Sequence, residues 1–451
     1  MATALIVLAA GQGTRMNSDL PKVLHPLGGV PLVVHAMASG ATVDPDKIVV
    51  VAGHGFDAVQ KAVLAHNPDA LVIEQEEQLG TGHAVLQAKE ALADFDGDVI
   101  VVFGDTPFVR PETIAEMVEA RANGSDIVML GFIAADPGRY GRMVVRDGQF
   151  ERIVEAKDAT EEELAITLCN SGLVAADAAT LFDLLQTIGN DNASGEYYLT
   201  DIVAAGRKQG LSASVVTCDE AETLGINTRA QLARAEALFQ AAKRAEALEN
   251  GVTLIAPDTV FFAFDTVIGR DAVVEPIVVF GPDVTVESGA TIRAFSHLEG
   301  CHVSRDAVVG PYARLRPGAE LAEGAKVGNF VEVKNAMIAE GAKVNHLSYI
   351  GDASIGARSN IGAGTITCNY DGFMKHRTEI GEGAFIGSNT MLVAPVTVGN
   401  EAMTATGSVI NKNVPDGALA LARARQETKP GMARKLFEKL KAAKAKRDKG
   451  A

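Results

Sequence analysis

Residues 303–333 have the sequence VSRDAVVGPYARLRPGAELAEGAKVGNFVEV, in which an aliphatic side chain returns at every sixth position. The same step recurs on both sides, so the ladder covers the chain from Ile268 to Ile410. A helix repeats every 3.6 residues and a strand every 2, so neither explains a period of six. Six residues suit one flat side of a parallel β-helix coil, where the aliphatic side chains stack inward. We therefore predict a left-handed parallel β-helix of hexapeptide repeats, with roughly 18 residues per coil.

Residues 1–228 show a different pattern, in which short aliphatic runs alternate with helical stretches. The runs lack polar alternation, which is typical of parallel strands buried on both faces. This predicts a Rossmann-like α/β domain whose ligands bind at the carboxyl ends of the strands. The Ala- and Glu-rich stretch 229–250 follows a capping-box pattern and predicts a linker helix. Residues 251–451 are then a β-helix domain with a basic tail, and the broken ladder at 367–379 predicts a loop.

The totals of the chain limit the class of protein. A length of 451 residues exceeds one compact core, so more than one domain is expected. The net charge of −16 argues against a nucleic-acid partner. Four cysteines without a CxxC pair fit the reducing cytoplasm, where we expect the protein. No apolar run reaches the roughly 18 residues of a membrane helix, so we expect no membrane insertion.

The first predicted strand runs into a glycine-rich turn, Leu8–Met16, which is followed by Pro21 and Lys22. Glycines let the backbone approach a phosphate chain, and Arg15 and Lys22 add positive charge. The turn resembles the GxGTRM…PK signature of the sugar-nucleotide pyrophosphorylase (nucleotidyltransferase) family. The resemblance implies that UTP or a UDP-sugar is bound by Leu8, Ala9, Gly11, Gly13, Arg15 and Lys22.

Two further segments of the first domain agree with this resemblance. Residues 75–84 (QEEQLGTGHA) resemble the uracil-binding loop of the uridylyltransferase members, which implies nucleotide contacts by Gln75, Gly80 and Thr81. Asp105 follows a predicted buried strand, and a carboxylate beside a triphosphate suits Mg²⁺. The resemblance also implies further ligand contacts, by Gly141, Glu155 and Asn170 to the sugar and by Asn227 to the metal. A sugar 1-phosphate then attacks the α-phosphorus of UTP, without a protein nucleophile.

Polar residues interrupt the ladder of the second domain within about two coils. Residues one coil apart stack on the same face, so Arg316 is expected near Lys334, with His346 one hexad further. Two cations and an imidazole would suit a phosphorylated sugar and a proton acceptor.

This part of the chain resembles the acetyltransferase half of bifunctional enzymes whose other half is a uridylyltransferase. Matching segments include Arg316–Ala319, His346–Tyr349 and Cys368–Gly372. The resemblance implies acetyl transfer from acetyl-CoA to glucosamine 1-phosphate, then uridylyl transfer that yields UDP-N-acetylglucosamine, in a homotrimer. It makes His346 the general base, and it implies two sets of binding residues. Glucosamine 1-phosphate is bound by Arg316, Lys334, Tyr349, Asn360 and Lys375. Acetyl-CoA is bound by Ala363, Asn369, Tyr370, Ser388, Thr406, where the family more often has Ala, and Arg423.

Two other functions remain open at this point. His297 and His302 have a zinc-ligand spacing known from β-helical carbonic anhydrases, but no third His lies between His83 and His297. Alternatively, the β-helix is a regulatory or oligomerising module on an enzyme with one activity. The cluster of Arg316, Lys334 and His346 argues against this alternative.

Overall fold

The computed structural model describes residues 2–41 and 43–449, and contacts divide the chain into two compact units. Unit 1 runs from the amino terminus to Glu246 and includes Phe261–Thr266. Unit 2 comprises Ala247–Val260 and the chain from Val267 onward. None of the helices in the described ranges is long and apolar enough to cross a membrane.

The first part of the chain alternates strands and helices, as its aliphatic runs predict. The strands are β1 (Thr3–Ala9), β2 (Pro26–Leu27), β3 (Val30–Pro31), β4 (Lys47–Ala52), β5 (Leu71–Glu74), β6 (Asp98–Phe103), β7 (Ile127–Ile133), β8 (Arg142–Arg146), β9 (Gln149–Val154), β10 (Leu168–Asp177) and β11 (Ala213–Cys218). The helices are α1 (Leu32–Ala41), α2 (Phe56–His66), α3 (Thr81–Gln87), α4 (Pro111–Ala122), α5 (Glu161–Leu164), α6 (Ala178–Leu185), α7 (Asp201–Lys208) and α8 (Arg229–Glu249).

The main sheet of unit 1 has the strand order β11-β7-β10-β6-β1-β4-β5. Along this path the pairs are parallel except those of β10 with β6 and β7. Strand β8 also pairs antiparallel with β10 and with β9. The apolar side chains of β1 are buried because helices cover both faces of the sheet. The chain leaves β1 toward β4 on one side, and β6 lies on the other. This switch point forms a crevice at the carboxyl ends of the strands.

Helix α8 packs on unit 1, whereas its polar composition predicts a separate linker at 229–250. Ala235 and Phe239 are buried against Leu27, Leu32 and Ile226. The Gln240 side chain exchanges two hydrogen bonds with the Phe262 backbone, at 2.7 and 2.8 Å. The residues of α8 up to Glu246 therefore belong to unit 1 rather than to a linker.

Three columns of short parallel strands build unit 2. The strands are β12 (Thr253–Leu254), β13 (Val260–Phe261), β14 (Val267–Ile268), β15 (Val273–Val274), β16 (Val278–Phe280), β17 (Val284–Val286), β18 (Thr291–Ile292), β19 (His297–Leu298), β20 (Cys301–Val303), β21 (Val308–Val309), β22 (Arg314–Leu315), β23 (Ala319–Leu321), β24 (Lys326–Asn329), β25 (Glu332–Ile338), β26 (Lys343–His346), β27 (Tyr349–Ile355), β28 (Asn360–Ile361), β29 (Ile366–Cys368), β30 (Thr378–Ile380), β31 (Phe385–Ile386), β32 (Met391–Val393), β33 (Val396–Val398), β34 (Met403–Thr404), β35 (Val409–Ile410) and β36 (Leu419–Ala420). Helix α9 (Met432–Lys449) lies in the basic tail.

The aliphatic ladder forms the interior of these coils. All ladder residues in 303–333 are at most 1% exposed, namely Val303, Val309, Leu315, Leu321, Val327 and Val333. Each pairs with the residue one coil away, as Leu315 does with Leu298 and Val333. A loop separates β29 from β30, where the ladder breaks. The fold class predicted from the six-residue period is therefore confirmed.

Candidate active sites

A cavity of about 330 Å³ opens at the carboxyl ends of β1 and β6. Seven of its lining residues are predicted from the sequence, namely Leu8, Gly11, Lys22, Gln75, Gly80, Thr81 and Asp105. The other lining residues are Ala10, Val23, Gln78, Ala84, Phe103 and Glu196. Ala9 is 2% exposed and its side chain points into the core of the sheet. The lining residues of the cavity therefore come from four segments that are far apart in the chain.

The glycine-rich turn brings its cations to one side of this cavity. Gly13 has a φ of 64°, and a Cβ atom there would collide with the Lys22 side chain, so only glycine fits. Lys22 forms an ion pair with Asp105, and its Nζ donates to Asn227 Oδ1 at 3.1 Å. Arg15 also donates to Asn227 Oδ1, at 3.0 Å. All four side chains thus form one polar cluster.

The two predicted metal ligands, Asp105 and Asn227, meet within this cluster. Their oxygens share one cation, the Lys22 ammonium, although 122 residues separate them in the chain. Carboxylate and amide oxygens are hard ligands of the kind that Mg²⁺ prefers. A pair of oxygens already directed at one positive charge therefore fits a Mg²⁺ site.

The loop that resembles a uracil-binding segment is held by its own hydrogen bonds. Gln75 is 4% exposed, and its Nε2 lies 3.0 Å from His83 Nδ1. Gln78 donates to the Ala10 carbonyl at 2.9 Å, which fastens the loop to the glycine-rich turn. Thr81 Oγ1 accepts a hydrogen bond from the Leu199 N–H at 3.0 Å, so its own proton stays available for a ligand.

The predicted sugar contacts form a second group in unit 1. The Asn170 N–H donates to the Gly141 carbonyl at 2.9 Å. A Cβ atom at Gly141 would lie 3.2 Å from Glu155 Oε1, so glycine leaves this carboxylate open. Burial raises the pKa of Glu155, and the nearby Asp201 and Asp158 raise it further. Gly141, Glu155 and Asn170 are therefore neighbours, as the resemblance implies.

In unit 2, four of the predicted sugar-phosphate residues form one charged cluster. Arg316 donates to Glu332 Oε1 at 2.8 Å, and this hydrogen bond raises the pKa of Arg316. The adjacent Lys334 side chain and its positive charge lower the pKa of Lys375. Tyr349 interacts electrostatically with both Arg316 and Lys375. The exception is Asn360, which lies on another face, paired with Lys343 and Phe385.

His346 lies at the end of β26, at an exposed edge of the β-helix. Its Nδ1 is 2.7 Å from Asn329 Oδ1, in the preceding coil. Because the amide oxygen can only accept, Nδ1 carries the proton and Nε2 has a free lone pair. The Asn329 contact therefore orients His346 with its basic nitrogen outward.

Four of the predicted acetyl-CoA residues continue along the same edge, namely Ala363, Ser388, Thr406 and Arg423. The Ala363 carbonyl accepts a hydrogen bond from Asn389 in the next coil, and the Ser388 carbonyl accepts one from Gly407. The Arg423 guanidinium donates to the Thr406 carbonyl at 2.9 Å. Asn369 and Tyr370 lie apart from this column, at the base of the loop after β29.

Several residues at these sites are not identified from the sequence. Gln78 and Glu196 reach the first cavity from loops whose positions only the fold sets. Asn329 and Asp352 contact predicted site residues in neighbouring coils. Both have a signal in the sequence, since each polar residue lies 17 positions before its partner, His346 or Asn369.

The remaining histidine pair does not form a cluster of metal ligands. His302 Nε2 lies 2.9 Å from Glu287 Oε1, and His297 pairs with Arg314 in the next coil. Within residues 2–41 and 43–449, no group of three or more His, Cys, Asp or Glu side chains is arranged to hold a metal ion.

An open α/β crevice with clustered cations, followed by a β-helix with an exposed histidine edge, defines a two-part transferase. Family models agree: residues 5–164 match the MobA-like NTP transferase domain, and residues 377–412 match the bacterial transferase hexapeptide (six repeats). The Bifunctional protein GlmU of Ruegeria sp. (strain TM1040) is 67% identical over 450 residues, covering 100% of both chains. That of Jannaschia sp. (strain CCS1) is 65% identical over 441 residues, covering 98% of this chain and 97% of the relative. The chain belongs to the family of bifunctional GlmU proteins, so the prediction of a bifunctional transferase is confirmed.

Among solved structures, a putative glucose-1-phosphate thymidylyltransferase from Bacillus anthracis, in complex with a sucrose, is 21% identical. The match covers 52% of this chain and 95% of that chain, with a TM-score of 0.43.

Proposed function

We propose that the protein catalyses two steps of UDP-N-acetylglucosamine synthesis, with one step in each unit. Unit 2 transfers an acetyl group from acetyl-CoA to glucosamine 1-phosphate. Unit 1 transfers a uridylyl group from UTP to the N-acetylglucosamine 1-phosphate formed, and pyrophosphate leaves. The observation that carries this proposal is that each unit gathers residues of the required chemistry from distant segments: Lys22, Asp105 and Asn227 in one, and Arg316, Lys334 and Lys375 in the other.

In unit 1, positioning and charge neutralisation account for catalysis. Arg15 and Lys22 bind the triphosphate beside the glycine-rich turn, and Asp105 and Asn227 hold Mg²⁺. The metal supplies positive charge to the triphosphate when it is bound. Gln75 and Thr81 bind the uracil edge, and Gly141, Glu155 and Asn170 bind the sugar. Lys22 pairs with Asp105 in the structure, so this ion pair has to open in part for Asp105 to hold the metal.

In unit 2, the amine of glucosamine 1-phosphate attacks the thioester carbon of acetyl-CoA. His346 Nε2 accepts the amine proton, and the Ala363 N–H stabilises the oxyanion. Arg316, Lys334, Tyr349, Asn360 and Lys375 bind the sugar phosphate. Ser388, Thr406 and Arg423 bind acetyl-CoA along the edge, and Asn369 and Tyr370 bind it from the base of the loop after β29. Asn360 lies on a different face from the cationic cluster, which is the arrangement expected if the site is shared between subunits of a homotrimer.

The two activities are tested separately on the purified chain. Acetyl transfer is followed by thiol release from acetyl-CoA with glucosamine 1-phosphate, and uridylyl transfer by pyrophosphate release from UTP with Mg²⁺. Light scattering on the same sample tests the homotrimer. A chain that releases pyrophosphate but no thiol would have one activity only, and its β-helix would be regulatory. Fractionation of cells that express the protein tests the cytoplasmic location.

A further inference from the structure

Three polar residues stack on one corner of the β-helix, at intervals of 17 residues: Asn335, Asp352 and Asn369. Asp352 is 9% exposed, and its Oδ1 accepts a hydrogen bond from Asn335 Nδ2 at 2.6 Å. Its Oδ2 accepts a second hydrogen bond, from Asn369 Nδ2. A single buried carboxylate therefore connects three successive coils.

Asn369 is also the first residue of the loop that carries Lys375. Its carbonyl accepts a hydrogen bond from the His376 N–H at 2.8 Å, and Tyr370 forms an antiparallel bridge with Lys375. Within the loop, Asp371 accepts hydrogen bonds from two backbone N–H groups, and it lies 2.7 Å from His376. The loop is therefore a folded unit in itself, and the Asn369–Asp352 hydrogen bond connects its base to the coil below.

Asp352 lies in the field of two cations of the phosphate cluster. Burial alone raises the pKa of Asp352, but the bonds from Asn335 and Asn369 and the charges of Lys334 and Lys375 leave it below its usual value. Conversely, Asp352 and Tyr349 oppose the effect of Lys334, which lowers the pKa of Lys375. The carboxylate thus counteracts the repulsion between two ammonium groups that face each other.

We propose that Asp352 is a positioning residue of the acetyl-transfer site. It fastens the loop through Asn369 and so holds Lys375 beside Lys334, where the two ammonium groups bind one phosphate group. Asp352 itself touches no substrate. The proposal rests on the proposed function, because it requires glucosamine 1-phosphate to bind at this cluster.

The test compares three variants in steady-state acetyl transfer. Asp352→Ala removes both hydrogen bonds, whereas Asp352→Asn keeps the size of the side chain with one acceptor oxygen. The matched control is Asp306→Ala, at an exposed corner that also has a positive φ, 55°. Hydrogen bonds to a charged group contribute enough that we expect Asp352→Ala to raise KM for glucosamine 1-phosphate by about 10- to 100-fold. We expect kcat to change less than about threefold, and Asp306→Ala to change neither constant.

The pH dependence separates positioning from general destabilisation. In Asp352→Asn the carboxylate that raises the pKa of Lys375 is lost, so Lys375 loses its proton at lower pH. When kcat/KM for glucosamine 1-phosphate is plotted against pH, we expect the alkaline limb of the profile to move to lower pH by about half a unit or more.

This inference alone is overturned if the wild-type protein acetylates glucosamine 1-phosphate, Asp352→Ala has the wild-type KM, and Asp352→Asn has the wild-type alkaline limb. Absence of acetyl transfer in the wild-type protein would instead overturn the proposed function. An unfolding temperature of Asp352→Asn well below that of Asp306→Ala, with only acetyl transfer lost earlier on heating, would show that Asp352 supports the fold of unit 2 and not the site.

Discussion

The two units assemble their sites in different ways. In unit 1 the polar cluster forms where the loops after β1 and β6 meet a third segment, so Lys22, Asp105 and Asn227 come from three distant parts of the chain. In unit 2 the site lies on a regular prism, where residues 17 or 18 positions apart become neighbours. The first site therefore depends on a specific arrangement of loops, whereas the second depends on a repeated register. Substitutions in one unit should leave the chemistry of the other unchanged.

The largest separation of the two activities is expected at His346. General-base catalysis contributes about 10²- to 10⁴-fold, so His346→Ala should lower acetyl transfer by that factor. Pyrophosphate release from UTP should stay at the wild-type rate, because Val344 and Ile350, not the imidazole, are buried in the coil. His297→Ala, at an exposed position of the same domain, is the matched control. Near-normal thiol release by a folded His346→Ala protein would mean that the base lies elsewhere.

The converse separation is expected at Asp105. Asp105→Ala removes a predicted Mg²⁺ ligand, so uridylyl transfer should fall by about 100-fold or more, and half-maximal rate should need more Mg²⁺. Acetyl transfer needs no metal and should be unchanged. Both rates and the Mg²⁺ dependence are measured on one preparation. If the two activities fall together, Asp105 supports the fold by pairing with Lys22.

A third prediction concerns the stability of unit 1. Phe239→Ala removes a buried ring from the contact of α8 with Leu27 and Leu32, which should lower the free energy of unfolding by about 3 kcal/mol or more. Uridylyl transfer should then be inactivated at a lower temperature, while acetyl transfer keeps its thermal profile. Leu238→Ala, on a residue of α8 that is 40% exposed, is the control. For the same reason a fragment of residues 1–266 should be more stable than one that ends at Thr228.

Asn329 should have a smaller effect than the histidine it orients. Asn329→Ala leaves His346 free to take the other tautomer or to rotate, so acetyl transfer should fall by about 10-fold. Asn329→Asp should restore most of the rate, because a carboxylate also accepts a hydrogen bond from Nδ1. It should also move the acid limb of the pH profile of acetyl transfer to higher pH. A rate unchanged in Asn329→Ala would show that the contact does not orient the base.

The smallest expected effect is a shift of pH dependence at Lys375. Lys334 lowers the pKa of Lys375, so the ammonium is lost at a lower pH than in free lysine. As pH rises through that pKa, binding of the sugar phosphate should weaken, and kcat/KM should fall. Lys375→Arg keeps its charge to higher pH and should extend the alkaline limb upward. If the alkaline limb does not move in Lys375→Arg, the titrating group is another residue, such as Tyr349.

Sequence by itself determined the β-helix, because a period close to six permits one inward stack of residues such as Leu315 and Val333. It also predicted most of the residues that the structure brings together around the two candidate sites, since their motifs are local. The packing of α8 was decided by tertiary structure, because its polar surface conceals Ala235 and Phe239, which are buried only once Leu27 and Ile226 are in place. Likewise, Asn329 and Asp352 acquire their roles from register: each is an ordinary polar residue until the next coil places its partner within hydrogen-bonding distance.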